Sequence, residues 1–312
     1  MKIAQLLFLP IIIFLVTSCS GYKNYRIPYT TVNEIRLQGQ KKIKLDEIKS
    51  NIAGLKESNL NYLSVKYSSY LRDKRKTNDS TKSIKFSAFV DVYYSYDFSN
   101  PQNFEKPDFN YNYKKHNQLN VNLAFVKLGY QSSRLRSNLA LMTGNYAMYN
   151  LSAEPNWAKP LLEANIGYKL SKQQNIWVDA GVMPSHIGFE SAIGSDCWNL
   201  TRSILAENSP YFESGIKFNY TNKKQDVYVA LHILNGWQKI AITDDNQKPS
   251  IGIQLNYKPS SSLTLNYSNF LGNINAGGTN AFRTFHNLYA IYDASPKQAF
   301  IFGFDIGTQK AN

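Results

Sequence analysis

From residue 84 onward the chain repeats one pattern: short segments of alternating apolar and polar residues, joined by connections that are short, then long, then short again. In the first segment Phe86, Ala88, Val90, Val92, Tyr94, Tyr96 and Phe98 share one parity, while Lys85, Ser87, Asp91, Ser95 and Asp97 share the other. A strand sends successive side chains to opposite faces, so this segment is apolar on one side and wet on the other. The same period recurs in Leu162-Ala164-Ile166-Tyr168-Leu170, Ile176-Val178-Ala180-Val182 and Phe212-Ser214-Ile216-Phe218-Tyr220. It recurs again in Val227-Val229-Leu231-Ile233 and Ile251-Ile253-Leu255-Tyr257. Strands of about 10 residues, apolar on one face and polar on the other, are the mark of a transmembrane β-barrel.

The connections narrow the class further. Eleven strands are expected near 84–98, 117–129, 134–144, 161–171, 175–183, 211–221, 225–235, 249–258, 262–272, 282–292 and 297–308. The even-numbered gaps are tight (Tyr130–Ser133, Ser171–Gln174, Thr221–Lys224, Lys258–Ser261, Asp293–Lys297) and the odd-numbered ones are long. A soluble β-sandwich shares the period but not this strict alternation, which matches short periplasmic turns on one rim and extracellular loops on the other. The aromatic content of 14%, with 22 tyrosines, suits girdles at the two membrane interfaces. The expected fold is therefore all-β, a transmembrane antiparallel barrel over residues 84–312. Eleven is odd, whereas single-chain bacterial barrels close with an even number. An outward-running last strand would leave an open edge, costly in lipid, so closing C-terminal strands are expected to be lacking, a further strand upstream being the alternative.

Ahead of the barrel the chain reads as an export address. Met1-Lys2 precedes an apolar run, Leu6 to Val16, too short to span a membrane as a helix of about 20 residues. It ends in Leu15-Val16-Thr17-Ser18-Cys19, which resembles a lipoprotein processing site. Residues 1–19 are read as a signal peptide with a lipobox-like end and Cys19 as a lipid anchor, an ordinary secretory signal being the alternative. Residues 20–83 read as a basic periplasmic extension or linker. Residues 22–83 hold 14 Lys+Arg against 6 Asp+Glu, about eight of the thirteen formal positive charges. The excess charge is thus a property of the extension, which removes the reason to expect nucleic acid; contact with anionic headgroups is the lesser alternative. Leu45, Ile48, Ile52, Leu55 and Leu63 allow a short amphipathic helix there.

Catalytic and metal signatures are missing from the linear sequence. His116, His186, His232 and His286 lie on separate segments without ligand-like spacing. Only Cys197 remains after processing, so no disulfide or redox pair can be built. Ser185-His186 has no acid partner identifiable in the sequence, and adjacent residues usually diverge, so a barrel-embedded lipid hydrolase is disfavoured. No enzyme and no cofactor are expected.

The fifth connection, residues 184–210, is the longest in the barrel region. It mixes Ile187, Phe189, Ile193, Trp198, Leu200, Ile204 and Leu205 with Glu190, Asp196, Arg202 and Glu207. A loop in water would not carry so much apolar material; one folded back into a lumen would need it. Such a loop sets the charge at the narrowest point, which nominates Glu190, Asp196, Arg202 and Glu207 as the pore constriction. A plug, or a loop packed on its neighbours at the mouth, is the alternative. Trp198, Thr201, Arg202 and Leu205 allow a helical turn within it. The polar parity nominates Asp91, Arg136, Glu163, Lys169, Asp179, Glu213, Lys217 and Asp305 as lumen wall.

These segments bring a family into view. Phe89-Val90-Asp91-Val92-Tyr93-Tyr94, Pro184-Ser185-His186-Ile187-Gly188-Phe189-Glu190, Asp196-Cys197-Trp198, Ala206-Glu207-Asn208-Ser209-Pro210-Tyr211, Leu234-Asn235-Gly236-Trp237-Gln238 and Gly303-Phe304-Asp305-Ile306-Gly307 resemble the OmpL-like β-barrel porins of Gram-negative outer membranes. The resemblance covers 85–308 and implies a passive outer-membrane channel. Members of that family usually continue well past the position of Gly307. The lipobox and the basic extension are not expected parts of it.

The expected function is passive diffusion of small polar solutes or ions through a lumen narrowed by 184–210. The alternative is a plugged, non-conducting barrel that serves as adhesin or structural anchor. Outer-membrane lipids and small polar solutes or ions are the expected partners, nucleic acid is not one, and a homo-oligomer stays open.

Overall fold

The computed structural model describes residues 16–19, 82–199, 202–242, 248–276 and 279–311. Eleven long strands run antiparallel to their sequence neighbours: β2 (Ser83–Ser95), β3 (Gln118–Gln131), β4 (Leu135–Thr143), β5 (Leu161–Lys169), β6 (Asn175–Pro184), β7 (Phe212–Thr221), β8 (Val227–Leu234), β9 (Ser250–Ser260), β10 (Leu263–Ala276), β11 (Thr279–Ser295) and β12 (Gln298–Ala311). A four-residue strand, β1 (Val16–Cys19), pairs with the start of β12. The remaining expectations for residues 1–81, including the helix over 45–63, lie outside the described residues. The strands form one meander in an open sheet, and β2 has a strand partner on one side only among the described residues.

The sheet is inverted relative to a water-soluble protein. Ile253 on β9 is 41% exposed, and Val90, Leu128, Ile166, Phe218, Leu231 and Phe304 are exposed with it. On the opposite parity Glu213 is 2% exposed and His232 2%, and Asp179, Glu163, Asn266 and Asn287 are buried. Apolar outside and charged inside is unfavourable in water and favourable in a bilayer, where only a β-barrel satisfies its backbone without helices. A tyrosine stands on the apolar face at the turn-side end of five alternate strands: Tyr130, Tyr168, Tyr220, Tyr257 and Tyr292. These amphipathic rings form the aromatic belt of the short-turn rim.

Register shows how the strands slope. Arg136, Gly167, Asp179, Lys217, His232, Gly252, Phe270, Phe285 and Gly307 lie in one hydrogen-bonded row across nine strands. The row starts one residue into β4 and ends nine residues into β12, the stagger that a barrel wall requires. Along it the chemistry changes from ionic to aromatic.

Three expectations need correction. The ninth gap is not long: β10 and β11 stay paired to Ala276 and Thr279, because inward Ile274 and Ala281 continue the strand pattern into a buried cluster. Leu162, Val182 and Phe212, the loop-end members of three apolar faces, are buried among the loops instead of exposed. A bulge at Ala140/Leu141 turns Leu162 inward, and the paired Gly181 and Gly215 both have positive φ. The helical turn of the fifth connection is α2 (Ile204–Glu207), and Arg202, with φ 69°, lies before its Ser203 cap.

Candidate functional site

On the turn-side half of the polar face the wall charges are paired. The Arg136 guanidinium donates two hydrogen bonds to the Asp179 carboxylate, at 2.7 and 2.5 Å. The two residues sit on β4 and β6, with Gly167 of β5 between them in register. A Cβ on Gly167 would lie 2.1 Å from Asp179 Oδ1, so only glycine lets the pair bridge its own strand. Asn219 donates to the same carboxylate at 2.7 Å, and Lys217 is 3.8 Å away. Lys127 pairs with Glu163 at 2.5 Å. Bidentate, charge-assisted bonds of this kind hold the side chains in fixed positions. Arg136, Glu163, Asp179 and Lys217 thus line one polar cavity of about 320 Å³, with Trp177 and Tyr228 on its wall and Pro184 at its loop-side end. Two cations and two anions leave it without a dominant sign.

The other nominated wall residues lie apart from that cavity. Asp91 accepts from the Tyr113 hydroxyl and from Asn122, Asp305 accepts from Asn287, Lys169 is half-buried near the turn rim, and Glu213 is deep near the loop rim. Lys127, Asn165 and Asn219 join the wall beyond the residues that the alternation nominates, although Lys127 follows the same alternation once the β3 bulge near Asn122 is allowed for.

The 184–210 segment lies on the polar face and crosses it. The Gly188 N–H donates to Asn287 of β11, and the Phe189 ring meets Tyr289 edge-on at 5.8 Å and covers Gly303 of β12. Farther along, Gly194 lies beside the Tyr113 hydroxyl and the Asp91 carboxylate of β2. One segment therefore touches strands at both ends of the sheet, which curls around it.

Its four nominated charges have different surroundings. Glu190 accepts from the Ser203 N–H and hydroxyl and so anchors the start of α2. Glu207 accepts from the Tyr111 N–H, Asn112 and the Tyr211 hydroxyl, tying the first long loop down. Asp196 is exposed on a 3-10 turn. Arg202 is 6% exposed, donates to the Ser191 and Ala192 carbonyls, and lies 5.8 Å from the ring centres of Tyr113 and Tyr211. Burial pushes the Tyr113 phenol up to about 12 and raises Tyr211 and the Cys197 thiol, so Arg202 is flanked by neutral groups.

On the loop-side half the inner face is filled. Leu123, Met142, Tyr146, Leu151, Leu162 and Phe212 form one apolar cluster with residues of the 184–210 segment. Ile187, Leu234, Phe270, Ile274 and Ala281 form a second, packed by Trp237 and Phe285. The helix α1 (Asn145–Asn150) supplies Tyr146 to the first.

An inverted sheet, a charged cavity on its inner face and a long segment folded onto that face converge on one class. Residues 83–312 match the family described as putative beta-barrel porin-2, OmpL-like. The chain belongs to that OmpL-like porin family. No curated protein matches it. The family match covers the whole sheet from β2 to β12 and leaves out the basic extension.

Two sequence readings of the histidines are corrected at the base of the segment. His186 and His232 are not isolated: their rings stack at 4.0 Å, and Glu213 lies against both. Glu213 is also the acid that Ser185-His186 lacked in the sequence. Ser185 donates to Glu213 at 2.9 Å rather than to the imidazole, and both ring nitrogens of His186 face oxygen atoms. A nucleophile and its base would face each other; these two do not. His116 stays within the first long loop, accepting from the Asp97 N–H, and His286 bonds Tyr267.

Proposed function

We propose that this chain is a bacterial outer-membrane porin that passes small polar solutes or ions down their gradient. The observation that carries this reading is the turn-side cavity, where Arg136, Glu163, Asp179 and Lys217 line open space on the inner face of an inverted sheet. Charges fixed on a lumen wall steer permeating ions without binding them tightly. Their balanced signs suit small polar solutes of either charge. The 184–210 segment narrows the path beyond Pro184, with Glu190, Asp196, Arg202 and Glu207 as its charges. The protein acts as a channel and not as an enzyme.

The filled loop-side half favours a second reading, a plugged barrel that serves as adhesin or anchor. Single-channel recording in planar bilayers separates the two. Discrete, long-lived conductance steps from the purified chain are the expected result. Silence under the same conditions, from protein whose barrel shows heat-modifiable migration, favours the plug.

A further inference from the structure

The strongest unassigned feature is the cluster at the base of the 184–210 segment. His186, Glu213 and His232 are all buried, and one ligand-type atom from each lies within 4.8 Å of the others. Glu213 and His232 are inward residues of β7 and β8 near the loop rim, and His186 follows Pro184 at the end of β6. His186 Nε2 donates to the Asn269 carbonyl at 2.7 Å, which aims Nδ1 at Glu213 Oε1, 2.5 Å away. Gly252 makes room for this ring, since a Cβ there would lie 2.5 Å from Nε2.

Polar capacity is left over. Both ring nitrogens of His232 and Oε2 of Glu213 are buried without a hydrogen bond. His232 Nδ1 stands 3.5 Å from that oxygen, too far for a good bond. Buried polar atoms normally find partners, and here Glu213 Oε2 and His232 Nδ1 face each other without a good one.

We propose that His186 Nδ1, the Glu213 carboxylate and His232 Nδ1 bind a divalent transition-metal ion of the zinc class. Two imidazoles and one carboxylate suit zinc, with water in the fourth tetrahedral position. The His186–Asn269 bond is the outer-shell contact that fixes a ligating imidazole, its second N–H donating to a backbone carbonyl. Lone pairs lie in the ring planes, so the stacked rings must open for one ion. The 2.5 Å contact of His186 Nδ1 with Glu213 Oε1 must lengthen to the roughly 3.3 Å between two ligands of a tetrahedral zinc. His232 can swing because it has no hydrogen bond to lose. The ion would pin the start of the 184–210 segment to β7 and β8. The polar cavity reaches Met183 and Pro184, two residues before His186.

The test uses the untagged full chain, stripped with chelator and titrated with Zn²⁺ alone. One tightly held zinc per chain is expected, and His232→Ala should weaken it at least tenfold. His286→Ala should leave it unchanged. X-ray absorption at the zinc edge of the wild type should show two imidazoles, which keeps the proposal testable if a variant fails to fold. Zinc uptake equal in the wild type and a His186→Ala/His232→Ala variant, or an all-oxygen zinc shell, overturns it.

Discussion

The inner face of this sheet has two halves that differ in kind. Near the short turns it is ionic and hollow: Arg136, Asp179, Lys217 and Glu163 surround open space, Asp179 held by Arg136 and Lys217 and Glu163 by Lys127. Near the long loops it is apolar and full, built from Leu123, Tyr146, Phe212, Phe270 and their neighbours. The row from Arg136 to Gly307 passes from one half to the other through Lys217 and His232. On the proposed channel reading, charge selection and occlusion are separable: the turn-side half would supply the charges and the loop-side half the packing.

That division can be broken from either end. Phe270→Ala should have the largest effect. Phe270 is 1% exposed and packs edge-on against Trp237 at 5.2 Å, so truncation should cost about 3–5 kcal/mol. Urea unfolding in lipid vesicles checks this. Phe218→Ala, on the lipid side and 40% exposed, should cost much less; equal losses would mean that the loop-side half is not a packed core.

Asp179→Asn comes next and acts on the other half. It neutralises the carboxylate shared by Arg136 and Lys217 and leaves two cations against Glu163 alone in the cavity. The reversal potential in a salt gradient should move toward anion preference with little change in the loops. An unchanged potential would take this cavity out of the permeation path.

Arg202→Gln should affect the loop more than selectivity. The guanidinium is buried against two carbonyls, and its loss should cost about 2–3 kcal/mol. Protease cutting within 184–210 should rise, and the reversal potential should move toward cation preference by less than the Asp179→Asn shift. A larger shift would place Arg202 at the constriction facing water. Glu207→Gln should have the smallest effect, about 1 kcal/mol, because an amide oxygen still accepts from the Tyr111 N–H. Faster hydrogen exchange confined to the first long loop would report it.

Two departures from the linear reading have a common cause. Leu162 belongs to the apolar alternation of β5, yet a one-residue bulge sends it into the loop cluster. The Ser185-His186 pair lacks a sequence-adjacent acid, yet Glu213 lies beside both after the segment returns. Neither a bulge nor a return path alters local composition. The four charges of the 184–210 segment were legible in an unusually apolar loop; the partners of Glu190, Glu207 and Arg202 in Ser203, Tyr111 and the Ser191 carbonyl were not.

By itself the sequence determined the strands, the meander, the two faces and the short-turn rim. Each follows from a period of two and from gap length, which act within a strand or between neighbours. Tertiary structure alone decided that Arg136 reaches Asp179 across Gly167, that His186, Glu213 and His232 meet, and that the loops fill one half of the inner face. Those contacts depend on the stagger of nine strands and on the path of a folded-back segment. Both are settled only when the whole sheet curls and side chains distant in the chain compete for one interior.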